Sequence, residues 1–170
     1  MPRRLAFPVT ARYLFENLIL RQIMGQESTP FYESEGGLCF ECQPNCAKCC
    51  KISGRVEIAD GDVVRMAEAL NMSETEFRKR FVKVENGELL LEEKKGGPCV
   101  MLGENDQCMV YDVRPTQCRT YPFWDEILAN DFTWLLEKDF CPGIDQGGKF
   151  SPPEIEQIRL GGGDASGYEA

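Results

Sequence analysis

The stretch Cys39-Phe-Glu-Cys42-Gln-Pro-Asn-Cys46-Ala-Lys-Cys49-Cys50 decides how the rest of the chain is read. It holds five of the nine cysteines in a chain of 170 residues. From Cys42 onward the spacing is Cys-x3-Cys-x2-Cys-Cys. Two or three intervening residues let the backbone curl so that successive sulfurs point at one centre. This is the spacing of thiolate zinc sites and of cysteine-ligated iron–sulfur clusters. Pro44-Asn45 suits the turn that such a curl needs. Adjacent Cys49 and Cys50 project divergent side chains unless the backbone bends. They are therefore expected to serve two metals, or different corners of one polynuclear centre. The remaining cysteines, Cys99, Cys108, Cys118 and Cys141, are spread along the later part of the chain. They are expected to fold back onto the cluster.

Composition limits the alternatives. Hydrophobic residues make up 42% and charged residues 28% of the chain, ordinary values for a globular protein. The length suits one small domain with a modest core. No stretch approaches the ~20 apolar residues of a membrane helix. Arg12, Glu16 and Arg21 interrupt the segment after the N-terminal arginines, so no secretory signal is read and a cytoplasmic location is expected. Thiols stay reduced there, and an odd cysteine count adds to the case against a disulfide framework. The net charge of −9, with no basic run longer than two residues, argues against nucleic acid as a partner. Histidine is absent. That removes the usual nitrogen ligand and any Ser–His or Cys–His arrangement, so a soft-metal site must be built mainly from thiolate.

The flanking sequence reads as short helices and hairpins. Thr10 caps a helix over 9–24 whose Leu14, Leu18, Ile19, Ile23 and Met24 recur at helical spacing. Arg55 to Ile58 alternates like a short strand. Asp60 opens a helix with Val63, Val64, Ala67 and Leu70 in one stripe. Ser73 and Glu76 form a capping box for the next helix, with Phe77 and Phe81 on one face. Asn86-Gly87 between two apolar runs predicts a hairpin over 82–91 with a type I′ turn. A second hairpin is expected to join 99–102 to 107–111. Pro115 starts a short helix, and strands are expected at 127–128 and 132–136 around Ala129-Asn130-Asp131. Cys141-Pro142-Gly143 reads as a tight corner, with Gly147-Gly148 in an irregular run. Ser151, Pro152 and Glu154 begin a last helix through Leu160. The fold class is thus α+β, a small single domain of short helices and β-hairpins around a cysteine-rich metal site. Its divisions are an N-terminal helix and connection (1–37), a metal-binding domain (38–160) and a disordered tail (161–170).

Thiolate sites attract counter-charge. A four-thiolate Zn²⁺ site is net −2, so nearby cations would offset it and donate to sulfur. Lys48, Lys51, Arg114 and Arg119 adjoin or lie close to cysteines in this acidic chain. Of these, Arg119, next to Cys118, is the expected donor, because its planar fork suits interior pairing. The cysteines other than Cys39 divide into two four-thiolate sites. Equally, four hold one cluster while the rest pack or act as redox thiols. Cys39 precedes the compact motif and is read as structural filler.

A wider pattern carries a resemblance. It comprises Phe40-x-Cys42-x3-Cys46-x2-Cys49-Cys50, then Pro98-Cys99, and Cys108-x2-Tyr111-x2-Arg114-Pro115-x2-Cys118-Arg119-x-Tyr121-Pro122-Phe123, and finally Cys141-Pro142-Gly143. In order and interval this resembles the YkgJ-type cysteine-cluster family, a zinc- or iron-chelating domain, over residues 40 to about 160. Where the family has glycine after the second cysteine of the cluster, this chain has Ala47. The resemblance implies that Cys42, Cys46, Cys49, Cys50, Cys99, Cys108, Cys118 and Cys141 form the metal-binding set. A similar cluster occurs in a flagellin lysine methylase, which implies a protein-modifying context. That activity does not carry over to a short chain without a glycine-rich cofactor loop.

Two functions fit these residues. One is an iron–sulfur protein with an electron-transfer, sensing or accessory role. The other is a zinc-stabilised module that acts through a protein partner without redox chemistry. No specific enzymatic reaction is supported by the residues present.

Overall fold

The computed structural model of the chain describes residues 29–165. The helix expected over 9–24 and the last five residues lie outside the described residues. In chain order the elements are α1 (Phe31–Ser34), β1 (Leu38–Phe40), α2 (Lys48–Lys51), α3 (Asp60–Ala69), α4 (Glu74–Phe81), β2 (Val82–Glu85), β3 (Glu88–Leu91), α5 (Thr116–Thr120), α6 (Asp131–Phe140), β4 (Ile144–Phe150) and α7 (Pro152–Arg159). Single 3-10 turns occur at Glu104–Asp106 and Tyr111–Val113. The expected α+β architecture is found: short helices with two antiparallel strand pairs, β1–β4 and β2–β3. Among the described residues no helix is long and apolar enough to cross a membrane.

Where the signal is local, element and sequence agree. Ser73 Oγ accepts the Glu76 N–H at 3.2 Å and starts α4. Ser151 N–H donates to Glu154 Oε2 at 2.7 Å at the head of α7, so the glutamate satisfies a donor that the helix cannot. Asn86 and Gly87 have φ of 52° and 86°. These are the positive values a type I′ turn needs, and they fix the register Val82↔Leu91 through Glu85↔Glu88. The 55–58 segment is extended and docks on this hairpin through one bridge, Glu57↔Leu90.

Three expectations give way. The second hairpin reduces to isolated bridges, Leu102↔Cys108 and Glu93↔Cys99, around a 3-10 turn, because Asn105 and Asp106 both adopt positive φ. The strands expected at 127–128 and 132–136 are absent, and 131–140 is α6. Asn130, read as a turn, is its cap: Asn130 Oδ1 accepts the Thr133 N–H at 3.0 Å and Thr133 Oγ1 accepts the Asn130 N–H at 3.1 Å. The irregular run after Cys141 is strand β4. It pairs Leu38↔Phe150 and Cys39↔Lys149, then jumps to Phe40↔Ile144, so a bulge absorbs the residues between. Gly147 takes φ 70° inside that bulge, and a Cβ there would meet Glu41 Cβ at 2.4 Å. The segment from Gly161 to Ala165 returns to the body of the chain. Ala165 is buried, and its N–H donates to Arg119 O at 2.8 Å.

Burial divides into two apolar cores. One gathers Val63, Met66 and Phe77 from α3 and α4 with Leu91, Met101 and Val110. The other gathers Leu38 and Phe40 from β1, Phe123, Trp134 from α6, Ile144 from β4 and Ile155 from α7. In the second core Phe123 stacks on Trp134 with centroids 6.0 Å apart. Cys99 and Cys108 pack against the first core, and Cys42 and Cys141 against the second. These four thiols therefore mark a seam between the two.

Candidate metal centre

Chain geometry delivers the thiols from separate places. β1 runs straight into Glu41-Cys42. Glu41 N–H donates to Gly143 O at 3.1 Å, and a Cβ on Gly143 would meet Glu41 O at 2.3 Å. Only glycine permits this approach, which sets the Cys141-Pro142 corner beside Cys42. The knuckle beyond Cys42 turns through Asn45 (φ 57°) and Ala47 (φ 47°) into the single helical turn α2. The left-handed backbone at Ala47 is a conformation that glycine takes without the steric cost a Cβ brings.

Three contacts hold the knuckle against the rest of the chain. Cys99 N–H donates to Cys50 O at 2.8 Å. Lys48 Nζ donates to Phe140 O at 3.0 Å, and Lys51 Nζ pairs with Asp106 at 2.7 Å. Each contact lies at or within two residues of a downstream cysteine: Cys99, Cys141 and Cys108.

Electrostatic interactions show which sulfurs the fold brings together. Cys49 acts on Cys42, Cys50, Cys99, Cys108 and Cys118. Cys141 acts on Cys42, and Cys99 on Cys50, Cys108 and Cys118. Cys46 lies on the same knuckle between Asn45 and Ala47, half-buried. All nine cysteines are free thiols. Cys49 and Cys50 diverge less than adjacent residues are expected to, with their Sγ atoms 4.0 Å apart. A tetrahedral zinc site with bonds of about 2.3 Å has sulfurs roughly 3.8 Å apart, close to this spacing. Among the described residues no group of three or more Cys, Asp or Glu side chains is arranged closely enough to hold a metal ion. The thiols are grouped at the looser range over which their charges act on one another. Cys39 points elsewhere: its strand neighbours Leu38 and Phe40 are buried, and it lines a groove with Trp134, Asp145 and Lys149.

The surroundings act on protonation in two directions. Burial pushes Cys42, Cys99 and Cys108 above the ordinary thiol range, and Cys118 up to about 12. A hydrogen bond between Cys50 and Cys49 brings Cys49 down to about 7 and drives Cys50 up. Donors aimed at sulfur oppose the burial. The Met101 and Leu102 amides reach Cys99, the Val110 amide reaches Cys108, and the Tyr111 hydroxyl reaches Cys42. The Tyr121 hydroxyl is shared between Glu137 and Cys141. Amide and hydroxyl donors on sulfur favour the thiolate that a metal requires, so these residues fit a thiolate-bound metal. The two tyrosines and the amides have no metal-ligand spacing of their own. Only their place in the motif between Cys108 and Phe123 signals them.

The expected cation is replaced by another. Arg119 is spent on local structure, its Nε donating to Arg114 O at 3.2 Å and its Nη2 to Thr116 Oγ1 at 3.1 Å. Arg114 is the guanidinium that acts on Cys42, Cys49, Cys108 and Cys118.

The chain resembles known sequences more than known structures. The protein named "Uncharacterized protein MJ0661" from Methanocaldococcus jannaschii is 26% identical over 129 residues, 72% of this chain and 68% of its own length. No solved structure gives a significant match. A family model, CxxCxxCC, described as "Putative zinc- or iron-chelating domain", matches residues 41–142. That interval runs from the residue before Cys42 to the residue after Cys141, the span that carries the grouped thiols, and the chain belongs to this family.

Proposed function

We propose that residues 38–160 form an all-thiolate metal-binding unit in which Cys42, Cys46, Cys49, Cys50, Cys99, Cys108, Cys118 and Cys141 ligate zinc or an iron–sulfur cluster, with a redox or accessory role. The observation that carries this reading is the seam. Thiols from well-separated stretches of sequence lie within electrostatic reach of one another there, with amide and hydroxyl donors aimed at several of them. A bound iron–sulfur cluster supplies one-electron chemistry, whereas zinc supplies cross-linking alone. The iron–sulfur form is favoured by a thiol count that exceeds the four one zinc ion needs. Hydrogen bonds to sulfur, as at Cys99 and Cys108, are among the features that set a cluster's potential.

The second reading is a zinc-stapled module that works through a protein partner. It is favoured by the division of the thiols, with Cys99 and Cys108 against one core and Cys42 and Cys141 against the other. Anaerobic purification, elemental analysis and a visible spectrum separate the two. Iron with acid-labile sulfide and a brown protein supports the redox reading; stoichiometric zinc in a colourless protein supports the module. Cys118→Ser is expected to lose metal while Cys39→Ser keeps the full complement. Equal loss from both would refute the ligand assignment.

A further inference from the structure

Arg114 is held by two partners, and one of its donors is left without any. Its guanidinium carbon lies 3.8 Å from the centroid of the Tyr111 ring. Its Nη2 is 3.0 Å from both carboxylate oxygens of Asp164. The side chain is only 11% exposed. Yet its Nε is buried with no hydrogen-bond partner, the one such side-chain nitrogen or oxygen found among the described residues. A buried N–H without an acceptor is rarely tolerated, and calls for an acceptor beyond those the folded chain itself supplies. The other cations near the thiols are committed. Lys48 donates to Phe140 O, Lys51 pairs with Asp106, Lys94, which acts on Cys99, donates to Leu102 O, and Arg119 serves Arg114 O and Thr116.

We propose that Arg114 is the counter-cation of the thiolate centre, oriented by Asp164 and the Tyr111 ring, with its free Nε–H available to a sulfur of the centre. This rests on the metal-binding reading above. The contribution is local rather than net: paired with Asp164, the guanidinium leaves a four-thiolate zinc site at −2, and what it offers the thiolates is a nearby cationic N–H donor. The buttress also gives residues 161–165 a role. Ala165 N–H holds this segment to Arg119 O at 2.8 Å, which places Asp164 where it meets Arg114. Arg114 is thus a positioning residue. It touches the Tyr111 ring, whose hydroxyl reaches Cys42, and it acts on thiols assigned to both cores.

The test uses the full-length protein as wild type, Arg114→Lys, Arg114→Met and Asp164→Asn. Zinc affinity is measured by competition with a chromophoric chelator at fixed pH. The thiolate-to-metal charge-transfer band is recorded after loading with Co²⁺. Loss of an outer partner of a metal ligand typically lowers affinity about 10- to 100-fold. Arg114→Met is expected in that range with a shifted band. Arg114→Lys, which keeps charge but not the planar fork, is expected between Met and wild type. Asp164→Asn should weaken binding less, at unchanged metal stoichiometry. If Arg114→Met does not fold, Arg114→Lys and Asp164→Asn decide the matter by the same readouts. Wild-type affinity and an unmoved band in the folded variants would overturn the counter-cation role while leaving the metal site intact. A wild-type protein that takes up no metal would overturn both.

Discussion

The core around Phe77 packs against Cys99 and Cys108 and the core around Phe123 against Cys42 and Cys141, and they close very different lengths of chain. The first is assembled from neighbours: α3, α4 and the β2–β3 hairpin succeed one another from Asp60 to Leu91. The second joins the two ends of the described chain, pairing Leu38 with Phe150 across everything between. Closing a long loop costs more entropy than closing a short one, although the cost rises slowly with length. The Phe123 core therefore depends more on anything that pins Cys42 to Cys141 near its base. A metal centre at the seam would do that. Such a centre would be close to redundant for one core and decisive for the other.

Metal removal is the strongest way to break this comparison. A structural thiolate metal contributes folding energy on the order of 10 kcal/mol, so chelation should lower the melting temperature sharply. Hydrogen exchange on the stripped protein should show β1 and β4 losing protection before β2 and β3. Simultaneous loss from both sheets would show that the cores are one cooperative unit. Next in size are Phe77→Ala and Phe123→Ala. Each removes a fully buried ring and should cost about 3–5 kcal/mol in denaturant melts. Only Phe123→Ala is expected to weaken zinc retention as well. Gly143→Ala pushes a Cβ into Glu41 O and should cost about 1–3 kcal/mol, on the scale of overpacking. It too should loosen metal binding through the Cys42–Cys141 approach. The smallest effect points the other way. Ala47→Gly relieves a left-handed residue and should raise stability by roughly 0.5 kcal/mol, the steric relief being partly offset by glycine's entropy. A loss at this position would show that the knuckle's turn is not strained.

The Phe77 half is the more legible in sequence, and the reason is range. Ser73 with Glu76, and Asn86 with Gly87, are signals complete within four residues. The same holds for Ser151 with Glu154 in the other half. β4 is not legible because its strand character comes from partners at Leu38–Phe40, while its own Asp145 and Gly147 take positive φ. α6 reads as strand because Asn130 suits both a turn and a helix cap. Moreover, Phe132, Leu135 and Leu136 face outward, so its apolar residues do not mark the buried side. At the thiols, spacing alone points to the knuckle, and the longer motif names its distant counterparts. The contrast between Arg114, which acts on four thiols, and Arg119, which bonds locally, has no local signal. Both are arginines beside the same motif, and only the returning Asp164 tells them apart.

The seam between the cores also has a schedule. Cys141 comes 91 residues after Cys50 (141 − 50). A ribosome adding ~5–20 residues per second takes roughly 5 to 18 s to cover that distance. For that interval the knuckle's thiols have emerged or are emerging without the last member of their set. Loading of a complete centre would therefore have to wait until Cys141 has been made, and until then the nascent chain presents open cysteines to whatever oxidant or competing metal arrives first.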